Sequence, residues 1–441
     1  MDPKLQHIME DHEFRLAVFD IEEQDPWALV ARVPPNERYS VWRGPNGDFH
    51  LGISSHVAGI VESGSSLAEL EATLKYTTGL FWSPDAAALG LLAFVGRSFN
   101  SDRPSQESWK GFSGTEICIP KILFRRVGSE WKVLIFSMID DMNDAYAEAI
   151  QVLGTSSTLN DPPLQDQSVL EVVGSSNYAD WVQSALNRIQ EDGLQKVVLA
   201  RKQAFRGKNA FEVSEILRRL DARFPECFVF AHSPGQASFP VFLGASPERL
   251  AASKDGLLYT EALAGSAPRG TTEDHDQRLG EDLLSSEKDV REHEHVRSFI
   301  QARIMPISVR IDSTEIKLKR LSNVQHLHTE IVARLSDEHS ILHAADLLHP
   351  TPAVAGTPTR QAMEFIQKTE DFDRGWYAGL FGWIAPEDNL AGEICVAIRS
   401  ALIHGNKAEL FAGAGIVEGS DPEREERETR VKMQALLEAL T

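Results

Sequence analysis

Between residues 227 and 263 four apolar runs follow one another: CFVFAHS, PVFLGAS, ERLAAS and GLLYTEAL. Gly, Pro and Ser separate them, with no room for a crossover helix, so the segment reads as an antiparallel meander. Strand-like runs also lie on either side of it. ALGLLAFVGRSF (88–99), WKVLIFSMI (131–139) and QKVVLARK (195–202) precede it, and YAGLFGWIAP, EICVAIRSALIHG and AELFAGAGIV follow. Helical patterns are interspersed. SLAELEATLKYTTGLF is one, and SNYADWVQSALNRIQEDG, with Ser176 as cap and Gly193 as stop, is another. SSEKDVREHEHVRSFIQARI starts from Ser285 or Ser286. In the C-terminal DPEREERETRVKMQALLEAL, the residues Met433, Leu436, Leu437 and Leu440 form one buried stripe. The sum is α+β, with extensive antiparallel sheet and helices on its outside.

The clearest break is GTSSTLNDPPLQDQS (154–168), rich in turn residues and without periodicity. It divides an N-terminal part, 1–160, from a region 170–441. The formal charge of −21 disfavours nucleic acid and anionic lipid as partners. An anionic small molecule would need a locally basic pocket inside this acidic shell. Cys118, Cys227 and Cys395 are far apart and form no CxxC pattern, which suits free thiols in a reducing compartment. There is no run of about 18 apolar residues. The polar start MDPKLQHIMEDHEFRL has no secretory signature, so a cytoplasmic protein is expected.

Several constellations can carry chemistry. Asp289 and Glu292 are three residues apart on one helix, and Glu425 and Glu428 on another, so each pair shares a face. Two such faces meeting would offer hard oxygen ligands suited to Mg²⁺. A solvated acidic face, or an ordinary Glu428–Lys432 pair four residues apart, is the plain alternative. HEH (293–295) and HLH (326–328) have the wrong spacing for a zinc helix, where histidines stand four apart. The glycine stretches LAGSAPRG (263–270) and FAGAGIV (411–417) could present backbone amides to an anion or simply form turns. Arg399 ends the apolar run EICVAIR, where a guanidinium would emerge only at an edge or in a cleft, as a fork for a carboxylate. Lys196 stands at the mouth of the apolar strand KVVLAR.

KVVLAR, GASPERL, LAGSAPRG, SEKDVREHEHV, HPTPAVAG, RGWYAGLFGW, VAIRSA, FAGAGIV and ERETRVK occur in the order seen in chorismate-utilising enzymes. The chain resembles that family over about residues 170–441, and more loosely before 160. The resemblance implies a large α/β/β/α layered fold in which one catalytic unit spans most of the chain. It implies Mg²⁺ held directly by Glu292 and Glu428 and through water by Asp289 and Glu425. It implies a grip on the enolpyruvyl carboxylate by Arg399 and the backbone at Gly413 and Gly415, with Lys432 as a further contact. Gly265, Ser266, His326, Ala353 and Tyr377 would line the same pocket.

Members that activate water carry lysine at the position of Lys196, and those that use ammonia typically carry glutamine. The reaction implied adds water to ring carbon 2 and expels hydroxide from carbon 4. Lys196 would be the base, which requires an uncharged amine, and Glu248 the acid, which requires a carboxyl still protonated near neutral pH. The resemblance thus points to an isochorismate synthase, feeding menaquinone or siderophore synthesis, as a monomer or weak homo-oligomer. Salicylate synthase is the near alternative, disfavoured by the small Ala353. A non-catalytic chorismate-binding relative is the alternative from another class.

Overall fold

The computed structural model describes residues 4–10, 14–53, 58–62, 66–77, 84–101, 107–154, 171–173, 177–191, 193–320, 324–386 and 390–441. Residues 155–168 of the expected linker and the Ser176 cap lie outside these. The described strands form two antiparallel sheets, one of 13 strands and one of 10. The first runs from Lys4–Glu10 and Phe14–Asp20 at one edge, through the neighbours Arg38–Arg43 and Phe228–Pro234, to Lys407–Val417 and Lys196–Arg206. The second joins Leu257–Pro268, Arg249–Lys254, Ala391–Val396 and Leu380–Ala385 to Ala93–Arg97. Each sheet therefore takes strands from before and after the 154–168 break.

Alternation along each strand builds the layers. In the first sheet, Phe228 and Phe230 point between the sheets while Val229 and Ala231 face the outer helices. Leu16 and Val18 alternate in the same way with Ala17 and Phe19. Between the sheets the aromatic rings interlock, with Phe230 and Phe381 centroids 5.5 Å apart and Trp42 and Phe381 6.3 Å apart. Outside the first sheet lie Val213–Arg223 and Pro422–Leu440, burying Ile216, Leu217, Leu220, Met433, Leu436 and Leu440. Leu437 of the expected stripe is only partly buried. Helices Glu287–Ile304 and Ile341–Leu348 cover the second sheet. The result is helix, sheet, sheet, helix, as expected from the resemblance.

The four runs of 227–263 are not one meander. Phe228–Pro234 and Val241–Ser246 form a hairpin in the first sheet; Arg249–Lys254 and Leu257–Pro268 form one in the second. The chain changes sheet at 246–249. EICVAIRSALIHG does the same in reverse, leaving the second sheet at Val396 and entering the first at Ser400. Strands buried on both faces read as continuous apolar runs, and nothing in such a run says which sheet it joins. The two crossings lie side by side. Val396 N–H donates to Glu248 O (3.0 Å) and Ala245 N–H to Arg399 O (3.1 Å).

Other local expectations are refined. Ser286, not Ser285, caps Glu287–Ile304, accepting from Asp289 N–H, while Ser285 closes the preceding helix. HLH lies on the strand Val324–Leu335, so His326 and His328 share a face. The FAGAGIV glycines belong to a regular strand, not a turn.

Candidate active site

A cavity of about 290 Å³ opens beside the two crossings, at the ends of Lys196–Arg206 and Lys407–Val417 and the first turns of Glu287–Ile304 and Pro422–Leu440. Every site residue expected from the sequence lines it, from Lys196 and Glu248 to the acids Asp289, Glu292, Glu425 and Glu428.

Lys196 begins its strand and stands opposite Val417. Its Nζ donates to Glu292 Oε1 at 2.6 Å, so the lysine is engaged in an ion pair rather than alone in an apolar setting. Gly415 leaves it room, because a Cβ there would sit 3.0 Å from Lys196 Cε.

Glu248 lies in the first crossing. Its N–H donates to Ser246 Oγ (3.3 Å), and that hydroxyl is fixed by donating to Val396 O (2.6 Å). Burial, reinforced by the negative charge of Glu261, pushes the Glu248 carboxyl up to about 7. Glu248 forms no salt bridge with its neighbour Arg249. Arg249 instead donates to Glu393 Oε1 from Nη2 (2.8 Å) and Nε (3.1 Å).

The opposite wall is basic. Arg399, in the second crossing, has a φ of 51°, a left-handed conformation uncommon outside glycine. Among the described residues its side chain has no carboxylate within salt-bridge distance. A guanidinium held in a cleft without a counterion is a ready anion site. Gly413 and Gly415 face the same space for a reason set by register. They stand opposite Ala200 and Val198. Ala200 N–H donates outward to Glu370 Oε1 (2.8 Å), and Val198 N–H donates outward to Ala355 O (2.9 Å). Antiparallel alternation therefore turns the N–H and C=O of both glycines away from that strand as well. Lys432 Nζ takes up Gly413 O at 2.9 Å. Tyr377 stacks on Phe411, with centroids 5.2 Å apart. Gly265, with φ 73°, is the extra residue of a bulge opposite Leu327 and His326, which bends this wall. His326 Nδ1 lies 2.8 Å from Ser266 Oγ and 3.3 Å from Gly265 O. Burial and the positive Arg399 and Lys432 drop its imidazole to about 3, so it is neutral at pH 7.

The four acids share the cavity but do not converge on one point. Glu292 pairs with Lys196, and Glu428 with Lys432 at 2.6 Å. Among the described residues no three His, Cys, Asp or Glu side chains are drawn together as a metal cage. Burial pulls Glu292 and Glu428 upward, but the lysines outweigh it and hold both low. Glu425 is buried, and burial followed by the charge of Glu428 pushes its carboxyl up. An all-oxygen set with two carboxylates, Asp289 and Glu425, outside any ion pair among the described residues fits a hard cation such as Mg²⁺. Arg201 holds the C-terminal helix in place, donating from Nε to Thr429 Oγ1 at 2.7 Å.

Sequence reasoning missed a buried ion pair behind the strand of Lys196. Arg374 donates to Glu370 Oε2 (2.8 Å), Val198 O (2.7 Å) and Val354 O (3.0 Å). The edge of the strand between its pairings with Gly356–Thr357 and Glu171–Val173 is thus served by side chains. Glu370 and Arg374 stand four apart in TEDFDRGW, the one signal that could have marked them.

A model of the family described as chorismate binding enzyme matches residues 4–441. Isochorismate synthase MenF of Bacillus subtilis (strain 168) is 33% identical over 80% of this chain and 75% of its own length. A Pseudomonas aeruginosa protein named salicylate biosynthesis isochorismate synthase is 37% identical over 78% of this chain and 73% of its own. The solved structure of MenF, the menaquinone-specific isochorismate synthase from Escherichia coli, gives a TM-score of 0.83 at 27% identity, covering 99% of this chain and 96% of that one. Anthranilate synthase component I from Streptococcus pneumoniae TIGR4, at 20% identity and TM-score 0.69 over 98% and 94% of the two chains, shares the fold. With sequence match, layer order and cavity in agreement, the chain belongs to the chorismate-binding enzyme family.

Proposed function

We propose that the protein is a Mg²⁺-dependent isochorismate synthase. The observation that carries this reading is a lysine, Lys196, and a carboxyl with a pKa raised to about 7, Glu248, in one cavity with an arginine, Arg399, that has no salt-bridge partner among the described residues. Arg399, the amides of Gly413 and Gly415, and Lys432 take the enolpyruvyl carboxylate. Glu292 and Glu428 would hold Mg²⁺ directly and Asp289 and Glu425 through water. Bound there, the ion supplies positive charge for the ring carboxylate.

Lys196 takes a proton from water as its oxygen bonds to ring carbon 2. The two ring double bonds shift, and the carbon 4 oxygen leaves with the proton of Glu248. One water enters and one departs, so the product is an isomer. Lys196 can act as a base only as the free amine, so the ammonium that donates to Glu292 must first pass a proton to solvent. Glu248, half protonated at about pH 7, is matched to its task.

A second reading is salicylate synthase, in which the same chain goes on to eliminate pyruvate from isochorismate; the relative named for salicylate biosynthesis is itself named an isochorismate synthase. Ala353 on the cavity wall supports stopping at isochorismate. We place the enzyme in the cytoplasm, as a monomer or weak homo-oligomer, ahead of menaquinone or siderophore synthesis. No helix among the described residues is long and apolar enough to cross a membrane. Chromatography of the products from chorismate and Mg²⁺ tests the reading. Isochorismate alone, lost with Lys196→Gln or EDTA, is expected. Salicylate with pyruvate would move the protein to the second reading, and no turnover would make it a chorismate-binding relative without catalysis.

A further inference from the structure

Behind Glu248 lies a second carboxylate that does not touch the cavity. Glu261, on Leu257–Pro268, is 8% exposed and saturated with donors. Arg249 N–H donates to its Oε1 at 3.0 Å, and Lys319 Nζ is 2.9 Å from both oxygens. His328 Nε2 lies 2.7 Å from Oε2. Lys319 also donates to Pro247 O at 3.1 Å. The residues immediately before and after Glu248 are thus tied to one buried ion pair, Glu261 through the amide of Arg249 and Lys319 through the carbonyl of Pro247. Three donors make Glu261 the carboxylate that stays ionised, while Glu248 beside it has no ion-pair partner among the described residues.

We infer that the Glu261–Lys319–His328 group is the positioning unit of the proposed acid Glu248, fixing its backbone from both sides and setting its proton affinity by opposed fixed charges. The inference rests on the proposed role of Glu248 as proton donor. The two halves of the unit act in opposite directions. The Glu261 charge favours the protonated form of Glu248, and the Lys319 charge favours the ionised form. Glu261 itself is held down at about 2, where hydrogen bonds and Lys319 overcome the cost of burial.

Other groups around Glu248 are accounted for. Lys196 and Lys432 also favour its ionised form, as minor contributions after Lys319. On the neighbouring strand Glu393 is engaged by Arg249, and burial keeps the Cys395 thiol protonated. His326 is neutral at pH 7, and burial lowers the Arg399 guanidinium from its usual value.

The experiment is a titration of Glu248 in the full chain, by infrared difference spectroscopy of its protonated carboxyl, alongside the pH profile of chorismate turnover. Glu248→Gln assigns the band. Glu261→Gln should move the titration, and the basic limb of the profile, down by about one pH unit, with about tenfold less activity at pH 8 and little change near pH 6. Lys319→Met should move both up. Structural damage would lower activity evenly at all pH values and cannot produce shifts of opposite sign. Unmoved titrations in both variants, or shifts in the same direction, would overturn the inference. If Glu261→Gln does not fold, an unmoved or lowered titration in Lys319→Met is enough to overturn it. A wild-type protein that turns over no chorismate would sink the proposed function, while the spectroscopic shifts would still decide the role of Glu261 and Lys319.

Discussion

At Gly415 the difference between hydrogen and methyl is a difference in catalysis. The added Cβ of Gly415→Ala would meet Lys196 Cε at 3.0 Å, and the lysine must swing aside. We expect about 10- to 100-fold lower kcat with little change in Tm, because the displaced group is a flexible side chain rather than the core. Glu248 carries a stability cost that can be read directly. Its folded-state pKa of about 7 lies above the unfolded 4.5, so folding is penalised increasingly as pH rises from 4.5 through 7. Glu248→Gln should therefore abolish most turnover, by about 100- to 10,000-fold, yet raise stability at pH 8 by up to about 3 kcal/mol. That gain should vanish by about pH 4.5, which urea denaturation at the two pH values will show. At this scale the sequence was informative wherever a motif marked a residue. Lys196, Glu248, Arg399 and the acids all reached the cavity. Glu261 and Lys319 gave no signal, because a buried brace is visible only once three strands are aligned.

Among elements, the crossings carry most of what could not be read. SPERL and VAIRSA look like strand ends, but in the fold they are the two places where the chain changes sheet, hydrogen-bonded to each other. The register of Lys407–Val417 against Lys196–Arg206 was also hidden, although it decides that Gly413 and Gly415 offer their amides to the cavity. On the other edge of Lys196–Arg206, Arg374 and Glu370, 3% and 2% exposed, take up the carbonyl of Val198 and the amide of Ala200, where no strand pairs among the described residues. Breaking this buried pair with Arg374→Met should cost about 3–5 kcal/mol, because Glu370 would be left unpaired in the interior. Chemical denaturation of the variant against wild type tests the figure. The C-terminal helix brings Glu425, Glu428 and Lys432 to the cavity and is fastened by Arg201. Without a cation its acids repel one another, so this helix and residues 413–420, the strand end and the turn before the helix, should exchange amide hydrogens faster without Mg²⁺ and ligand than with them. Equal protection in both states would contradict the assignment of these acids to the ion.

For the molecule as a whole, the double sheet explains why the fold class could be read and its boundaries could not. Strands such as CFVFAHS are apolar on both faces because one face meets the second sheet and the other the helices. The same burial sets the acid limit of stability. Burial lowers His232 and His349 to about 4 and His326 to about 3, all below the unfolded 6.5. Their contribution is complete above 6.5 and lost as pH falls towards 4, at about 2 kcal/mol each by pH 5. Stability measured by urea should thus be level from pH 8 to 7 and fall steeply below 6.5. The proposed chemistry of the cavity adds one water to the ring and expels another. Turnover of chorismate in H₂¹⁸O with Mg²⁺, followed by mass spectrometry, tests it most directly. The expected product is isochorismate carrying the solvent label in its ring hydroxyl. Isochorismate that kept the original oxygen would contradict the water chemistry assigned to Lys196 and Glu248.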